Sequence, residues 1–155
     1  MIILGVDPGS HATGYGVIET TPVARFLAGG VIRPDKGLSL PRRLLAIHES
    51  LCGVLADHAV DAMAVEDLFN AKNARSSLIL GHARGVILLT GAEAGLPVAE
   101  YAPREVKQAL TGNGAAAKEQ VRYMVMRLLG LKDTPPMDLS DALAVALTHT
   151  QRRGR

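Results

Sequence analysis

The chain reads as an α/β protein. Its expected core is a five-stranded mixed sheet, three antiparallel strands then two parallel ones, with helices on both faces. Three observations predict this. The first strand-like runs follow one another through short links, which makes an antiparallel meander. The later runs are separated by helical patterns, and strand–helix–strand crossovers join parallel strands. The chain has 155 residues, 48% of them hydrophobic, enough for the core of one domain, taken as 1–150.

Ile2 to Val6 is a continuous apolar run, β-branched in part, ended by the turn formers Asp7-Pro8-Gly9-Ser10, so it predicts a buried strand. Gly14 to Glu19 and Val23 to Ile32 predict two more, with Gly29-Gly30 marking a bulge and Arg33-Pro34-Asp35 a break. From 40 to 57 the residues Leu40, Leu44, Ile47, Leu51 and Leu55 recur at helical spacing, with Pro41 suited to the first turn. Asp61 to Glu66 predicts a fourth strand. Ala74 to Ala94 predicts a long helix, and its internal Gly81, Gly85 and Gly91, each costing about 1 kcal/mol against Ala, suggest close packing. Leu96 to Ala99 predicts the fifth strand. Three helices follow, at Pro103–Leu110, Ala117–Leu129 and Leu139–Thr148, the second stopped by Gly130. Gln151 to Arg155 reads as a short, frayed basic tail.

Composition narrows the classes. A single cysteine allows no internal disulfide and no zinc ribbon, and a reducing, cytoplasmic setting is expected. The start meets Asp7 too soon for a signal peptide. No apolar run approaches the ~20 residues of a membrane span, so no membrane partner is expected. The balance of 17 basic and 15 acidic residues, net +2, is on its face weak support for a nucleic-acid partner.

Four acids have positions that suit chemistry. Asp7 follows the first strand and Glu66 closes the fourth; parallel pairing of those strands would bring both to one sheet edge. Asp138 and Asp141 lie three apart at the start of the last helix and so share a face. Each has an ordinary reading: a turn former for Asp7, a solvated acid for Glu66, an N-cap and a dipole-favoured acid for Asp138 and Asp141. Converging together, they would repel one another unless divalent cations intervened. An oxygen-only set suits Mg²⁺ or Mn²⁺. Two such ions about 4 Å apart catalyse in-line attack at phosphodiesters.

At this point the residues match a known pattern. The chain resembles the RuvC Holliday-junction resolvases in Ile3-Leu4-Gly5-Val6-Asp7-Pro8-Gly9-Ser10 and Thr13-Gly14-Tyr15-Gly16-Val17-Ile18. It does so again in Glu66-Asp67-Leu68-Phe69, Ala71-Lys72-Asn73-Ala74, Gly81-His82-Ala83-Arg84-Gly85-Val86, Val106-Lys107-Gln108 and Asp141-Ala142-Leu143-Ala144. The resemblance covers nearly the whole chain and implies an RNase H-like fold. It implies Asp7, Glu66, Asp138 and Asp141 as ligands of two Mg²⁺ or Mn²⁺ ions per active site. It implies a homodimer that cuts four-way junction DNA by paired symmetric nicks, leaving 5′-phosphates, beside the RuvA–RuvB branch-migration complex.

Basic and aromatic residues follow from the same comparison. Phe69 is one of two Phe residues; it is either a packed loop anchor or, as the resemblance favours, a platform for unpaired bases. Lys72, Asn73 and Arg75 are assigned to DNA contact, as are Lys107 and Lys118, with Arg104 and Arg122 as weaker candidates. Lys118 is also expected to support the scissile phosphate or attacking water as part of the catalytic set. The 74–94 helix is the candidate dimer interface. Setting four acids aside as metal ligands leaves 17 basic residues against 11 acidic ones, or +6, which is compatible with a nucleic-acid partner.

Competing classes are weaker. An actin-like or sugar-kinase ATPase needs a second domain that this length cannot hold. A non-catalytic junction binder should have lost an acid, and all four are present. Another RNase H-like nuclease would lack the Phe69 loop and the Lys72-Asn73 segment in this form.

Overall fold

A computed structural model describes residues 1–9, 11–67 and 74–153. The strands are β1 (Ile2–Asp7), β2 (Thr13–Glu19), β3 (Arg25–Ile32), β4 (Ala62–Glu66) and β5 (Val98–Tyr101); the helices are α1 (Leu40–Asp57), α2 (Ala74–Glu93), α3 (Pro103–Thr111), α4 (Lys118–Leu129) and α5 (Met137–Arg153). The expected element order holds. The sheet runs β3-β2-β1-β4-β5. β1, β2 and β3 pair antiparallel, while β4 runs parallel to both β1 and β5.

Side-chain alternation along the strands divides the core in two. Ile3, Ile18, Ala64 and Tyr101 face one side and pack under α3, α4 and α5. Leu4, Val6, Val17, Met63 and Val65 face the other and pack under α1 and α2. The helices therefore cover both faces, as the β-αβα pattern requires.

α5 lies unusually close to the sheet, and two glycines make room for it. A Cβ on Gly5 of β1 would stand 2.1 Å from the Ala142 carbonyl oxygen, and one on Gly14 of β2 would stand 1.9 Å from the Asp138 carbonyl oxygen. Only hydrogen fits at either position. The run Ala142 to His149 is buried along its length, so α5 is the hydrophobic spine of this layer.

Four expectations change. The register shift between β2 and β3 falls at Val17/Ile18, where the partners step from Ala28 to Phe26, not at Gly29-Gly30. β5 begins two residues later than the apolar run suggested, because its pairing with β4 carries it from Val98 to Tyr101. α5 starts at Met137, directly after the Pro135-Pro136 break, so Asp138 stands in its first turn and is not the N-cap. α5 also runs on through Arg153, so Gln151 to Arg153 belong to the helix and not to a frayed tail. A guanidinium nitrogen of Arg152 anchors that end at 2.9 Å from Glu105 of α3.

The glycines of α2 divide by role. Gly91 packs within the chain, where a Cβ would meet Val98 and Met63, while Gly81 and Gly85 face open space. Leu78 and Leu89, on the same helix, are 66% and 55% exposed. α2 is thus apolar on its outer side as well as its inner one, the pattern of a helix covered on both.

Candidate active site

The C-terminal ends of β1 and β4 lie side by side. Val6 pairs with Val65 in parallel register, so the next residues, Asp7 and Glu66, emerge at the same sheet edge. On the other side of β1, Asp7 pairs with Gly14, and the Asp138 backbone rests on Gly14. The close seat of α5 therefore brings Asp138, and Asp141 one turn later, over the end of β1.

The electrostatics show which carboxylates meet. The Asp7 carboxyl is pushed up to about 9, first by burial and then by the charges of Glu66 and Asp141. Burial and the Asp141 charge also raise Glu66, while a hydrogen bond with Asp7 lowers it. The hydrogen bond between them favours the protonated form of Asp7 and the ionised form of Glu66. Lys118, at the start of α4, donates to Asp141 Oδ2 at 2.7 Å. That hydrogen bond raises its ammonium above the usual lysine value, against some desolvation.

Asp138 stands apart from this group. Its Oδ2 lies 3.4 Å from an Arg33 guanidinium nitrogen. Lys107 lowers Glu66 electrostatically and lines a pocket of about 170 Å³ with Glu66, Lys118 and Asp141. Among the described residues, no three His, Cys, Asp or Glu side chains sit close enough to hold a metal ion as they stand. The donor chemistry nevertheless suits a hard dication: the cluster offers only carboxylate oxygens, and one ammonium is too little charge to keep Asp7 ionised.

Of the expected DNA contacts, Lys107 and Lys118 are at the site. Arg75 is exposed in the first turn of α2. Phe69, Lys72 and Asn73 lie outside the described residues. Arg104 packs over Gly114, where a Cβ would come within 2.7 Å of its Cγ. Arg122 is half-buried on α4.

Sequence reasoning assigned no role to two supports. Arg84 of α2 binds Asp67 at 3.1 Å and also pairs with Glu100 of β5, while the Asp67 amide donates to the Tyr101 carbonyl at 2.8 Å. The residue after Glu66 is thereby tied to β5 and α2. The Tyr101 hydroxyl shares a 2.8 Å hydrogen bond with His149 Nδ1, joining β5 to α5 beneath the site. Arg84 stood inside a recognised motif, but Tyr101 and His149 carried no local signal, being 48 residues apart.

Known proteins resemble this chain in sequence and fold. The family model for crossover junction endodeoxyribonuclease RuvC matches residues 3–149. A protein of that name from Geobacter metallireducens is 49% identical over 157 residues, 99% of this chain and 94% of the relative. One from Desulforamulus reducens is 48% identical over 153 residues, covering 97% and 94%. The structure of T. thermophilus RuvC in complex with Holliday junction substrate superposes with a TM-score of 0.93 at 41% identity, covering 99% of this chain and 96% of that one. The yeast mitochondrial Holliday junction resolvase Ydc2 shares the fold, with a TM-score of 0.66 at 10% identity, over 98% of this chain and 80% of that one.

Proposed function

This chain belongs to the RuvC family of crossover junction endodeoxyribonucleases, and we propose that it resolves four-way DNA junctions by paired symmetric hydrolytic nicks. The observation that carries this reading is the convergence of Asp7, Glu66 and Asp141, from β1, β4 and α5, at one sheet edge beside Lys107 and Lys118.

Enzymes of this family depend on metal. In our reading Asp7, Glu66, Asp138 and Asp141 hold two Mg²⁺ or Mn²⁺ ions. Bound there, such ions polarise the scissile phosphate and lower the pKa of the attacking water. The chain's own groups do the rest. As a ligand Asp7 would act in its ionised form, which burial and the charges of Glu66 and Asp141 disfavour without a cation. Asp141 orients the Lys118 ammonium, which with Lys107 presents positive charge to the phosphate. Phe69, Lys72, Asn73 and Arg75 belong, on the family resemblance, to the surface that meets the crossover.

The deciding test compares a mobile four-way junction with linear duplex of the same sequence, with Mg²⁺ or Mn²⁺ and with EDTA. The expected result is metal-dependent, ligatable nicks in the junction alone. Equal cutting of both substrates would overturn the reading.

The reading includes a homodimer through the outer face of α2, supported by exposed Leu78 and Leu89 around the open Gly81 and Gly85. Small residues at that spacing let two helices approach closely. Leu89→Glu is expected to shift the protein from dimer to monomer in sedimentation equilibrium and to abolish paired nicking. A variant that still sediments as a dimer would place the interface elsewhere. RuvA–RuvB is the partner implied by the resemblance, and a cytoplasmic setting belongs to the same reading. Among the described residues, no helix is long and apolar enough to cross a membrane.

A further inference from the structure

The assigned DNA contacts Lys107 and Lys118 both lie on the β5 side of the carboxylates, yet a nucleic-acid strand crossing the site must leave on the other side too. The sheet order β3-β2-β1-β4-β5 puts Asp7 on the central strand. Ile32, the last residue of β3, pairs with Thr13, so β3 ends at the same edge as β1 and β4. The chain then runs through Arg33, Pro34, Asp35 and Lys36 into α1, whose first turn carries Arg42 and Arg43. This connection is held against the site. Pro34, Leu40 and Arg43 line one small cavity with Gly9 and His11, just past Asp7, and Arg33 reaches Asp138.

The charges here are poorly explained by folding. Two arginines and no acid occupy the first turn of α1, the end where the helix dipole disfavours cations by about 0.3–1 kcal/mol each. Among the described residues, neither Lys36 nor Arg42 has a carboxylate partner, and both are exposed. Two other exposed arginines are paired, Arg25 with Glu19 and Arg152 with Glu105. Arg104 and Arg127 are exposed without a carboxylate partner among the described residues, but the Arg33–Arg42 stretch alone adjoins the site on the β3 side. The Arg33 side chain is 61% exposed, and its 3.4 Å contact engages one nitrogen of a group with five N–H donors. The one acid of the stretch, Asp35, is occupied in the turn, where its Oδ1 accepts the Gly37 amide at 2.8 Å.

We propose that Arg33, Lys36 and Arg42 form a second phosphate-binding surface on the β3 side of the site, holding the DNA backbone opposite Lys107 and Lys118. The proposal rests on the endonuclease reading. The ligand is the sugar–phosphate backbone, read by charge, so the contact is indifferent to base sequence.

The test is fluorescence anisotropy of a synthetic four-way junction in EDTA across a series of salt concentrations. Each side chain that neutralises a phosphate contributes about −0.9 to the slope of log K against log salt. Arg33→Ala, Lys36→Ala and Arg42→Ala should each flatten the slope by about one, as should the positive control Lys107→Ala. The triple variant should flatten it by roughly two to three. Arg42→Ala keeps the test decisive if the triple variant folds poorly: loss of a cation from the start of α1 should leave the melting temperature unchanged or raised, while the slope still falls. A slope equal to wild type in all three single variants overturns the proposal. Failure of the wild-type protein to bind the junction would instead overturn the endonuclease reading, so the two failures are distinct.

Discussion

Replacing Asp7 by Asn is expected to lower single-turnover junction cleavage by roughly a thousandfold or more, since a metal ligand supports several kcal/mol of transition-state charge stabilisation. Junction binding in EDTA should be retained, because without metal the raised Asp7 carboxyl is held mainly in its neutral form below about 9, so the substitution leaves the charge facing the phosphates little changed. A variant that cleaves within tenfold of wild type would show that Asp7 is not a ligand. The same substitution has a signature without DNA. The Asp7 carboxyl is raised from 3.8 to about 9 in the folded chain. A raised carboxyl favours the folded state below its ordinary value, and that contribution is lost as pH climbs toward and through about 9. Glu66 is shifted in the same direction. Lys118 is raised too, but its contribution persists until pH exceeds the ordinary lysine value. Wild type in EDTA should therefore lose melting temperature relative to Asp7→Asn between pH 5 and about 9, and Mg²⁺ should restore wild type alone. Parallel pH profiles for the two proteins would contradict the buried, crowded placement of Asp7.

Gly14→Ala is expected to lower cleavage by about a hundredfold without touching any acid. The added Cβ would stand 1.9 Å from the Asp138 carbonyl oxygen, so the start of α5 must move away from β2. A displacement near 1 Å at a reacting centre costs on the order of 10²-fold, and overpacking costs about 1–3 kcal/mol of stability. Single-turnover cleavage and urea unfolding measure the two effects. The matched control is Gly53→Ala in α1, where nothing lies within 4 Å of the added carbon. That change should stabilise the protein by up to about 1 kcal/mol and leave cleavage intact. If Gly14→Ala cleaves like wild type, close seating of α5 is not what positions its carboxylates.

The strands and the pairing of Asp7 with Glu66 were legible because β1 and β4 are short, fully buried apolar runs, each ended by an acid. α1 was legible to the residue, since its apolar spacing is regular and Pro41 marks its start. What escaped depends on partners distant in sequence. The Leu96-Pro97 run pulled β5 toward its apolar start, whereas pairing with β4 extends the strand over Glu100, whose charge Arg84 neutralises. Gln151-Arg152-Arg153 looks like a solvated tail until Glu105 is placed beside it. Gly5 and Gly14 read as ordinary strand glycines, and only the position of α5 shows why no side chain fits. The gathering of Asp7, Glu66 and Asp141 was foreseeable; the stand of Asp138 beside Arg33 was not, because Arg33 read simply as the end of a strand.

One consequence of α5 concerns how this protein can change. The helix is buried from Ala142 to His149, carries Asp138 and Asp141 at its start, and is joined to β5 through His149 and Tyr101. Its packing surface and its chemistry are a single rigid body. Substitutions deep in this layer will alter the enzyme as well as its robustness, so mutational tolerance should be lowest along α5. Stabilising variants are better sought on the solvent side of α1, where the carboxylates do not register the change.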